Sequence, residues 1–293
     1  MLYPSLLRCT LLGTSLSLLT ACADNHAASQ VDTPTPVVQS ATISLPTAVS
    51  PVSTATFEQP TQSFASWQAA FRQEALSAGI QAAVFDAAFA GVSPDPAIIR
   101  ADRSQPEFTR PVWEYLDSAI SATRVRRGQA LLAEHASTLQ AIEQRYGVDR
   151  HALVAIWGME SNFGQYMGDK SVIAALATLA YEGRRPAFAH EQLLAALRIL
   201  QHGDVQPSRM RGSWAGAMGQ TQFIPSTYNQ FAVDFDGDGR RDIWDSSADA
   251  LASAAHYLQK SGWQSGQPWG VEVTLPSGFD YALAEAEPRK PLS

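Results

Sequence analysis

The chain has 293 residues, of which 45% are hydrophobic and 17% charged, and its formal net charge is −7. This length suits one large domain or two small ones, and the acidic balance argues against a nucleic-acid partner or an anionic membrane surface. The only two cysteines, Cys9 and Cys22, stand near the N-terminus, so we expect neither a disulfide nor thiol chemistry in the folded part.

Residues 1–22 have the pattern of an export signal. Arg8 precedes an apolar run that is too short to span a bilayer as a stable helix. The run closes on Leu19-Thr20-Ala21-Cys22, which resembles a bacterial lipoprotein signal with Cys22 as the lipidated residue. The alternative is an ordinary secretory signal cleaved nearby. Either way we expect an exported protein, and lipidation predicts a location on the periplasmic side of the outer membrane.

Residues 23–63 are rich in Pro, Ser, Thr, Ala, Val and Gln and contain neither Lys nor Arg. Such a stretch buries too little apolar surface to offset its ordering entropy. We therefore predict a disordered tether between the anchor and the folded domain.

From Trp67 onward, apolar residues recur at helical spacing, which predicts a mainly α fold with little or no sheet. The clearest predicted helices cover 82–91, 122–146, 149–164, 172–181, 188–201 and 248–261. Only residues 269–275 alternate in a way that is compatible with a strand. We expect one folded domain over 64–281, which can include an N-terminal helical subdomain over 64–145, and a disordered tail over 282–293.

The helix predicted over 149–164 is central to the interpretation. Asp149 is a suitable N-cap because its carboxylate can accept an unpaired backbone N–H, and Gly164 is a suitable stop. Leu153 and Trp157 recur at helical spacing and mark the face that we expect to be buried.

Glu160 follows Ile156 and Trp157 at helical spacing, so it is predicted to lie on this apolar stripe. A carboxyl group in such a place loses hydration, which raises its pKa. A raised pKa is what a general acid needs near neutral pH. The alternative is a structural glutamate at the rim of the stripe, bonded to a backbone N–H or an arginine.

The run over 212–225 is unusually rich in glycine and alanine. Ser213, Gln220 and Gln222 add neutral hydrogen-bonding groups, which suit a loop that binds sugar hydroxyl and N-acetyl groups. A tight helix–helix connection would need the same small residues. The residues alone leave both interpretations open.

A second motif matches the first half of an EF-hand calcium loop, with oxygen ligands at positions 1, 3 and 5 and a glycine at position 6. The three acidic positions are Asp234, Asp236 and Asp238. The Arg240 carbonyl would follow at position 7. Position 12 is Asp245 instead of the usual Glu, so Asp249 could supply the last carboxylate, with Asp245 then capping the next helix. We predict a structural Ca²⁺ site, the alternative being a solvated acidic turn.

Other catalytic patterns are missing from the sequence. The six histidines show no zinc spacing, and there is neither a phosphate-binding glycine loop nor a nucleophile elbow. No second catalytic carboxylate stands near Glu160 in the sequence. We therefore expect no cofactor for catalysis.

Several motifs together resemble the membrane-bound lytic murein transglycosylase B family, in the same order over roughly residues 66–281. The matching runs are Arg103-Ser-Gln-Pro-Glu-Phe108, Trp113-Glu-Tyr-Leu116, Ala155-Ile-Trp-Gly-Met-Glu-Ser-Asn-Phe-Gly164, Ala175-Leu-Ala-Thr-Leu179, 212–225, Val233-Asp-Phe-Asp-Gly-Asp-Gly239 and Trp269-Gly-Val-Glu-Val273.

The resemblance implies a lysozyme-like helical core with a groove for peptidoglycan glycan strands, and an EF-hand-like ion site. The family's general acid is the glutamate of its Glu-Ser-x-Phe-Gly motif, here Glu160. Its groove contacts would fall on Ser213, Gln222 and Tyr115. The implied partners are peptidoglycan and, through the lipid anchor, a membrane, with no nucleic acid.

The implied mechanism needs a single carboxyl group. Glu160 would protonate the oxygen that leaves MurNAc C1, while the 2-acetamido group stabilises the developing cation. The ionised Glu160 would then take the proton of the C6 hydroxyl, closing a 1,6-anhydro ring. Ser213 and Gln222 would orient the acetamido or neighbouring groups.

Two alternatives remain for the activity. One is a muramidase that uses water, and the other is a catalytically weak peptidoglycan-binding lipoprotein. The second is favoured by the polar residues 282–293, because family members usually continue there with a tyrosine-containing segment that completes the groove. We therefore expect that segment to be missing.

Overall fold

The computed structural model describes residues 61–104, 112–267 and 270–280, which belong to one compact unit, Ala55–Ser293. The predicted signal with Cys22, the tether up to residue 60 and the predicted tail lie outside the described residues. Within the described ranges, no helix is both long and apolar enough to cross a membrane.

The described residues form eleven helices and one small sheet, which confirms the prediction of a mainly α fold. Strand β1 runs antiparallel to β2, with Lys170 opposite Gly212. The elements are α1 Phe64–Ser77, α2 Ala82–Ala88, α3 Pro96–Ser104, α4 Val112–Ala119, α5 Ala122–Glu134, α6 Ala136–Tyr146, α7 Arg150–Ser161, β1 Lys170–Ser171, α8 Val172–Glu182, α9 Pro186–His202, β2 Arg211–Gly212, α10 Pro225–Phe231 and α11 Ser247–Lys260.

Two predicted elements were wrong. The single helix over 122–146 is two helices that meet at His135, where φ is −98° and ψ is 21°. This break lets Leu131 and Leu139, on either side of it, bury in the same core. The strand considered over 269–275 is not formed by residues 270–275, whose side chains are exposed and have no partner strand within the described ranges.

The first core surrounds α8, whose residues are buried on nearly all sides, as expected for a helix that is apolar all round. Helix α9 packs against α8, and residues of α1, α2 and α10 belong to the same core. Representative fully buried side chains are Phe85, Leu176, Leu193 and Tyr228. The first two helices therefore share a core with elements far along the chain.

The second core joins α6, α7 and α11 through Leu139, Leu153, Trp157 and Leu251. This core packs α7 against α11, the last helix of the described residues. The division of the domain at 64–145 stays a prediction.

Candidate active site

The capping residues of α7 set the two ends of the helix that carries Glu160. Asp149 is the N-cap, as predicted, and its carboxylate accepts the backbone N–H of His151 at 2.7 Å. The helix ends at Ser161, three residues before the predicted stop at Gly164. Asn162 ends it instead, with φ at 50°, because Asn is one of the few residues other than Gly that tolerates a left-handed backbone.

The chain turns sharply after the helix through three successive left-handed residues, Asn162, Phe163 and Gly164. The turn folds the Phe163 ring back against α7, edge-on to Trp157 at 5.7 Å between ring centres. A Cβ atom on Gly158 would stand 2.7 Å from this ring. Gly158 is therefore required for the ring to lie under the helix.

Ser161 ties the end of α7 to the 212–225 loop. Its buried hydroxyl donates to the carbonyl oxygen of Gln220 at 2.5 Å and accepts the backbone N–H of Gly164 at 2.8 Å. The Gln220 side chain is itself buried and donates to the Trp244 carbonyl at 3.0 Å. Gln220 thus fastens the loop, instead of offering its amide to a ligand as the sequence suggested.

Replacing Ser161 with alanine is expected to lower the free energy of unfolding by about 1–3 kcal/mol, because a buried carbonyl and a partly buried N–H lose their partner. Urea denaturation measures this change. Ser77→Ala is the matched control, since that exposed hydroxyl bonds only within its own helix, and we expect less than about 0.5 kcal/mol there. Equal small effects at both positions would contradict the role given to Ser161.

Glu160 lines a cavity of about 330 Å³ between α7, the 221–224 segment and α11. The other lining residues are Ile156, Thr221, Gln222, Phe223, Ile224, Thr227, Ala254, Tyr257 and Leu258. Glu160 itself is exposed, so it does not belong to the buried stripe of α7 as predicted. It lies on the neighbouring face of the helix, at the opening of a largely apolar cleft.

The chemistry of this carboxyl group follows from its surroundings. No group of the described residues donates a hydrogen bond to Glu160 or forms an ion pair with it. Although the residue is exposed, it loses part of its hydration where it lines the cavity, and this raises the pKa of Glu160 above its ordinary value, as the sequence predicted. Among the described residues that line the cavity, it is the only acid. The structural alternative, a glutamate bonded to an arginine or a backbone N–H, finds no such partner there.

Gln222 lines the same cavity in a left-handed conformation, with φ at 52°. Its side-chain nitrogen donates to the carbonyls of Gly219 at 2.9 Å and Met167 at 3.2 Å. Both N–H groups have acceptors within the protein, so Oε1 is the atom it can offer to a ligand. A non-glycine residue held in this conformation is typical of a functional site.

Ser213 does not line this cavity; it closes a tight turn. Its hydroxyl oxygen accepts the backbone N–H groups of Ala217 at 3.0 Å and Ala215 at 3.3 Å. A Cβ atom on Gly212 would stand 2.2 Å from the Ala217 carbonyl oxygen. The loop therefore has two parts: 212–217 is a close-packed connection, and 221–224 faces the cavity. Sugar binding by the loop stays a prediction.

The two tyrosines differ in their relation to Glu160. Tyr115 lies exposed on α4 and is not among the residues that line the Glu160 cavity. Tyr257, on α11, does line it and is held edge-on by the rings of Phe231 and Phe223 at 5.2 and 5.9 Å. The sequence analysis missed Tyr257, because an aromatic on an amphipathic helix carries no signal of the cleft that it faces.

Three of the predicted calcium ligands come together. Asp234, Asp236 and Asp249 each place a carboxylate oxygen within 4.8 Å of the others. Asp249 is fully buried and accepts backbone N–H groups from Phe235 and Asp242 at 2.8 Å each. Burial nonetheless raises its pKa. A divalent cation would offset this crowding of negative charge, and carboxylate oxygens are the ligands that Ca²⁺ prefers.

The other predicted positions in this loop have different partners. The Asp238 carboxylate accepts from the Arg240 guanidinium at 2.8 Å and lies outside the group of three. Asp245 pairs with Arg209, and Ser246, not Asp245, caps α11. Ligation by Asp238 and by the Arg240 carbonyl stays a prediction.

Comparison with known proteins identifies the family. Residues 63–293 match the transglycosylase SLT domain. The chain belongs to this family. Its helical core has the fold of the solved family members, which confirms the lysozyme-like architecture implied by the sequence motifs.

Several relatives are close enough to compare. The chain is 35% identical to the membrane-bound lytic murein transglycosylase B of Escherichia coli K12, over 61% of this chain, and spans about half the length of that relative (53%). SltB3 from Pseudomonas aeruginosa, solved with NAG-NAM-pentapeptide, is 70% identical with a TM-score of 0.74, over 76% of this chain and 60% of that one. Escherichia coli Slt35, solved with calcium, is 30% identical with a TM-score of 0.63, over 76% of each chain.

Proposed function

We propose that this chain is a lytic transglycosylase that cleaves the β-1,4 bond between MurNAc and GlcNAc in peptidoglycan without water, leaving 1,6-anhydroMurNAc ends. The observation that carries the proposal is the single unpaired carboxyl group at the cleft, Glu160, with no second acid among the described lining residues. Glycosidases that use water usually need two. Family membership supports the substrate class, as does the NAG-NAM-pentapeptide bound to SltB3.

In the proposed reaction Glu160 acts twice. The raised pKa favours the protonated form of Glu160, and this form gives its proton to the glycosidic oxygen as the bond to MurNAc C1 breaks. The 2-acetamido group stabilises the positive charge at C1. The resulting Glu160 carboxylate accepts the C6 hydroxyl proton while O6 bonds to C1. The proton returns to Glu160, and no water is consumed.

The neighbouring residues would bind the glycan. Gln222 offers its carbonyl oxygen to an N–H or hydroxyl of the sugar. Ser213 accepts two backbone N–H groups, so its own O–H remains available as a donor, as the family resemblance implies. We propose Tyr115 as a groove contact from the resemblance alone, and Tyr257 from its place in the cavity wall.

The masses of the products from purified sacculi test this function. We expect muropeptides lighter by one water than their reducing counterparts. Intact reducing MurNAc ends would instead support the water-using muramidase. If the protein pellets with sacculi and releases nothing, the peptidoglycan-binding alternative is correct.

Two further proposals concern ion binding and location. Asp234, Asp236 and Asp249 would hold a structural Ca²⁺ that takes no part in the chemistry; the calcium complex of Slt35 supports this. We also propose export and anchoring through lipidated Cys22 on the periplasmic side of the outer membrane. The relative named as membrane-bound supports membrane association, and the leader pattern supports the anchor.

Replacing Cys22 with alanine is expected to move the protein from the membrane fraction to the soluble periplasmic fraction, because the diacylglyceryl group of the anchor is attached through that sulfur. Fractionation followed by immunoblotting measures the shift. Cys9→Ser is the matched control, since Cys9 lies within the leader, and should leave membrane association unchanged. Retention of the Cys22 variant in the membrane fraction would contradict the lipid anchor.

A further inference from the structure

Thr221 carries a buried hydroxyl that has no hydrogen-bond partner among the described residues. The residue is 5% exposed and forms part of the wall of the Glu160 cavity. Its two neighbours differ: the side-chain N–H groups of Gln220 and Gln222 donate to backbone carbonyls. The unpaired group is therefore specific to Thr221 and is not a general property of the loop.

An unpaired buried hydroxyl disfavours the folded state compared with an apolar group of the same shape. Valine has that shape, so packing alone would favour valine at position 221. Buried polar groups without a partner are rare in folded proteins, and each needs an explanation. A hydroxyl that the free protein leaves unpaired is available to a ligand in the adjoining cavity.

We propose that Thr221 is a substrate-binding residue. Rotation about its Cα–Cβ bond would turn the hydroxyl, which is buried in the free protein, into the cavity. There it hydrogen-bonds a neutral hydroxyl or acetamido group of the N-acetylated sugar bound beside Glu160. The inference rests on the proposed function for its ligand. The cavity is otherwise largely apolar, and Gln222 offers an acceptor there, so the hydroxyl adds a donor.

The variants Thr221→Val and Thr221→Ser test the proposal, with a soluble alternating GlcNAc–MurNAc oligosaccharide as substrate. For Thr221→Val we expect an unchanged or higher melting temperature and a kcat/KM lower by about tenfold, mostly through a higher KM. Thr221→Ser restores the hydroxyl and should stay within about twofold of the wild type. A kcat/KM of Thr221→Val within about twofold of the wild type would overturn the proposal. So would a falling melting temperature, which would mean that a buried water or another structural partner holds the hydroxyl.

Thr178→Val is the matched control. Its buried hydroxyl donates to the Ala174 carbonyl at 2.7 Å and accepts the backbone N–H of Asp95 at 3.1 Å, away from the cleft. We expect the opposite signature, a lower melting temperature with an unchanged kcat/KM. The contrast separates a ligand contact from a structural hydroxyl.

A binding measurement separates this proposal from the proposed function. Calorimetry compares the same oligosaccharide on Glu160→Gln with and without Thr221→Val. Weaker binding with valine supports the contact even if the wild type turns out to use water. Unchanged binding overturns it, whatever the reaction is.

Discussion

Replacing Glu160 with glutamine is expected to lower the rate of glycan cleavage by about a thousandfold or more. A positioned general acid contributes roughly 10²–10⁴-fold to a reaction, and in the proposed reaction the same group also serves as the base. Glutamine keeps the shape of the side chain but can neither give nor take the proton. The release of 1,6-anhydro products from sacculi, followed with time, measures the loss.

The fold should survive this substitution. Desolvation raises the pKa of Glu160, so the folded protein holds this proton more tightly than the unfolded chain, and stability falls as pH rises from the unfolded pKa towards the raised folded one. Glu160→Gln removes that loss. Its melting temperature should equal or exceed that of the wild type at neutral pH, and the gap should close in acid.

The matched control is Glu74→Gln, which changes an acid that pairs with His190 and does not line the Glu160 cavity, and it should leave the rate unchanged. The wild-type kcat/KM should also fall as pH rises through the raised pKa of Glu160, because the free enzyme then loses its acid. A Glu160→Gln variant that keeps more than a tenth of the activity would show that another group donates the proton.

Removing calcium with a chelator is expected to lower the melting temperature, and adding calcium should restore it. A ligand that binds only the folded state at about a hundred times its Kd stabilises it by about 2.7 kcal/mol. Three carboxylates, one of them buried with a raised pKa, are crowded together at this loop. Without the ion, their mutual repulsion opposes folding.

The same treatment should reduce activity, because the acidic loop that would hold the ion is hydrogen-bonded to the loop beside Glu160. The Gln220 carbonyl accepts one hydrogen bond from the Ser161 hydroxyl. Its backbone N–H donates to the Ile243 carbonyl and its side-chain amide to the Trp244 carbonyl, just after Asp242. A loosened acidic loop therefore loosens the segment beside Glu160. Glycan cleavage measured with chelator and with calcium checks this coupling.

Two variants isolate the ion site. Asp249→Asn should abolish the calcium-dependent rise in melting temperature. Asp245→Asn should preserve it, because Asp245 pairs with Arg209 at the surface and lies outside the group of three carboxylates. A melting temperature that ignores both chelator and calcium would contradict the site.

The sequence predicted the features of the site that are local in the chain. Asp149 caps α7 as its side chain requires, and the alternation of Asp234 with Asp236 marks the acidic loop. The pKa of Glu160 is raised as predicted, but the side chain lies on an exposed face of α7 and not on its buried stripe. Spacing within a helix places a residue on a face, while its exposure depends on what packs opposite.

The rest of the site depends on contacts between distant segments. Tyr257 and Thr221 meet Glu160 only because α11 and the 221–224 segment pack beside α7. The Asp238 carboxylate forms an ion pair with the Arg240 guanidinium, which would compete with a metal ion for it. No periodicity in the sequence reveals such a competition. The break at His135 likewise follows from the core that Leu131 and Leu139 share.

The most direct test of a single group acting first as acid and then as base is digestion of sacculi in water labelled with ¹⁸O. If Glu160 takes the proton of the C6 hydroxyl while O6 bonds to C1, the released MurNAc ends carry no label and are anhydro sugars. Label at C1 of those ends, in a reaction that Glu160→Gln abolishes, would mean that water is the nucleophile and would contradict the mechanism.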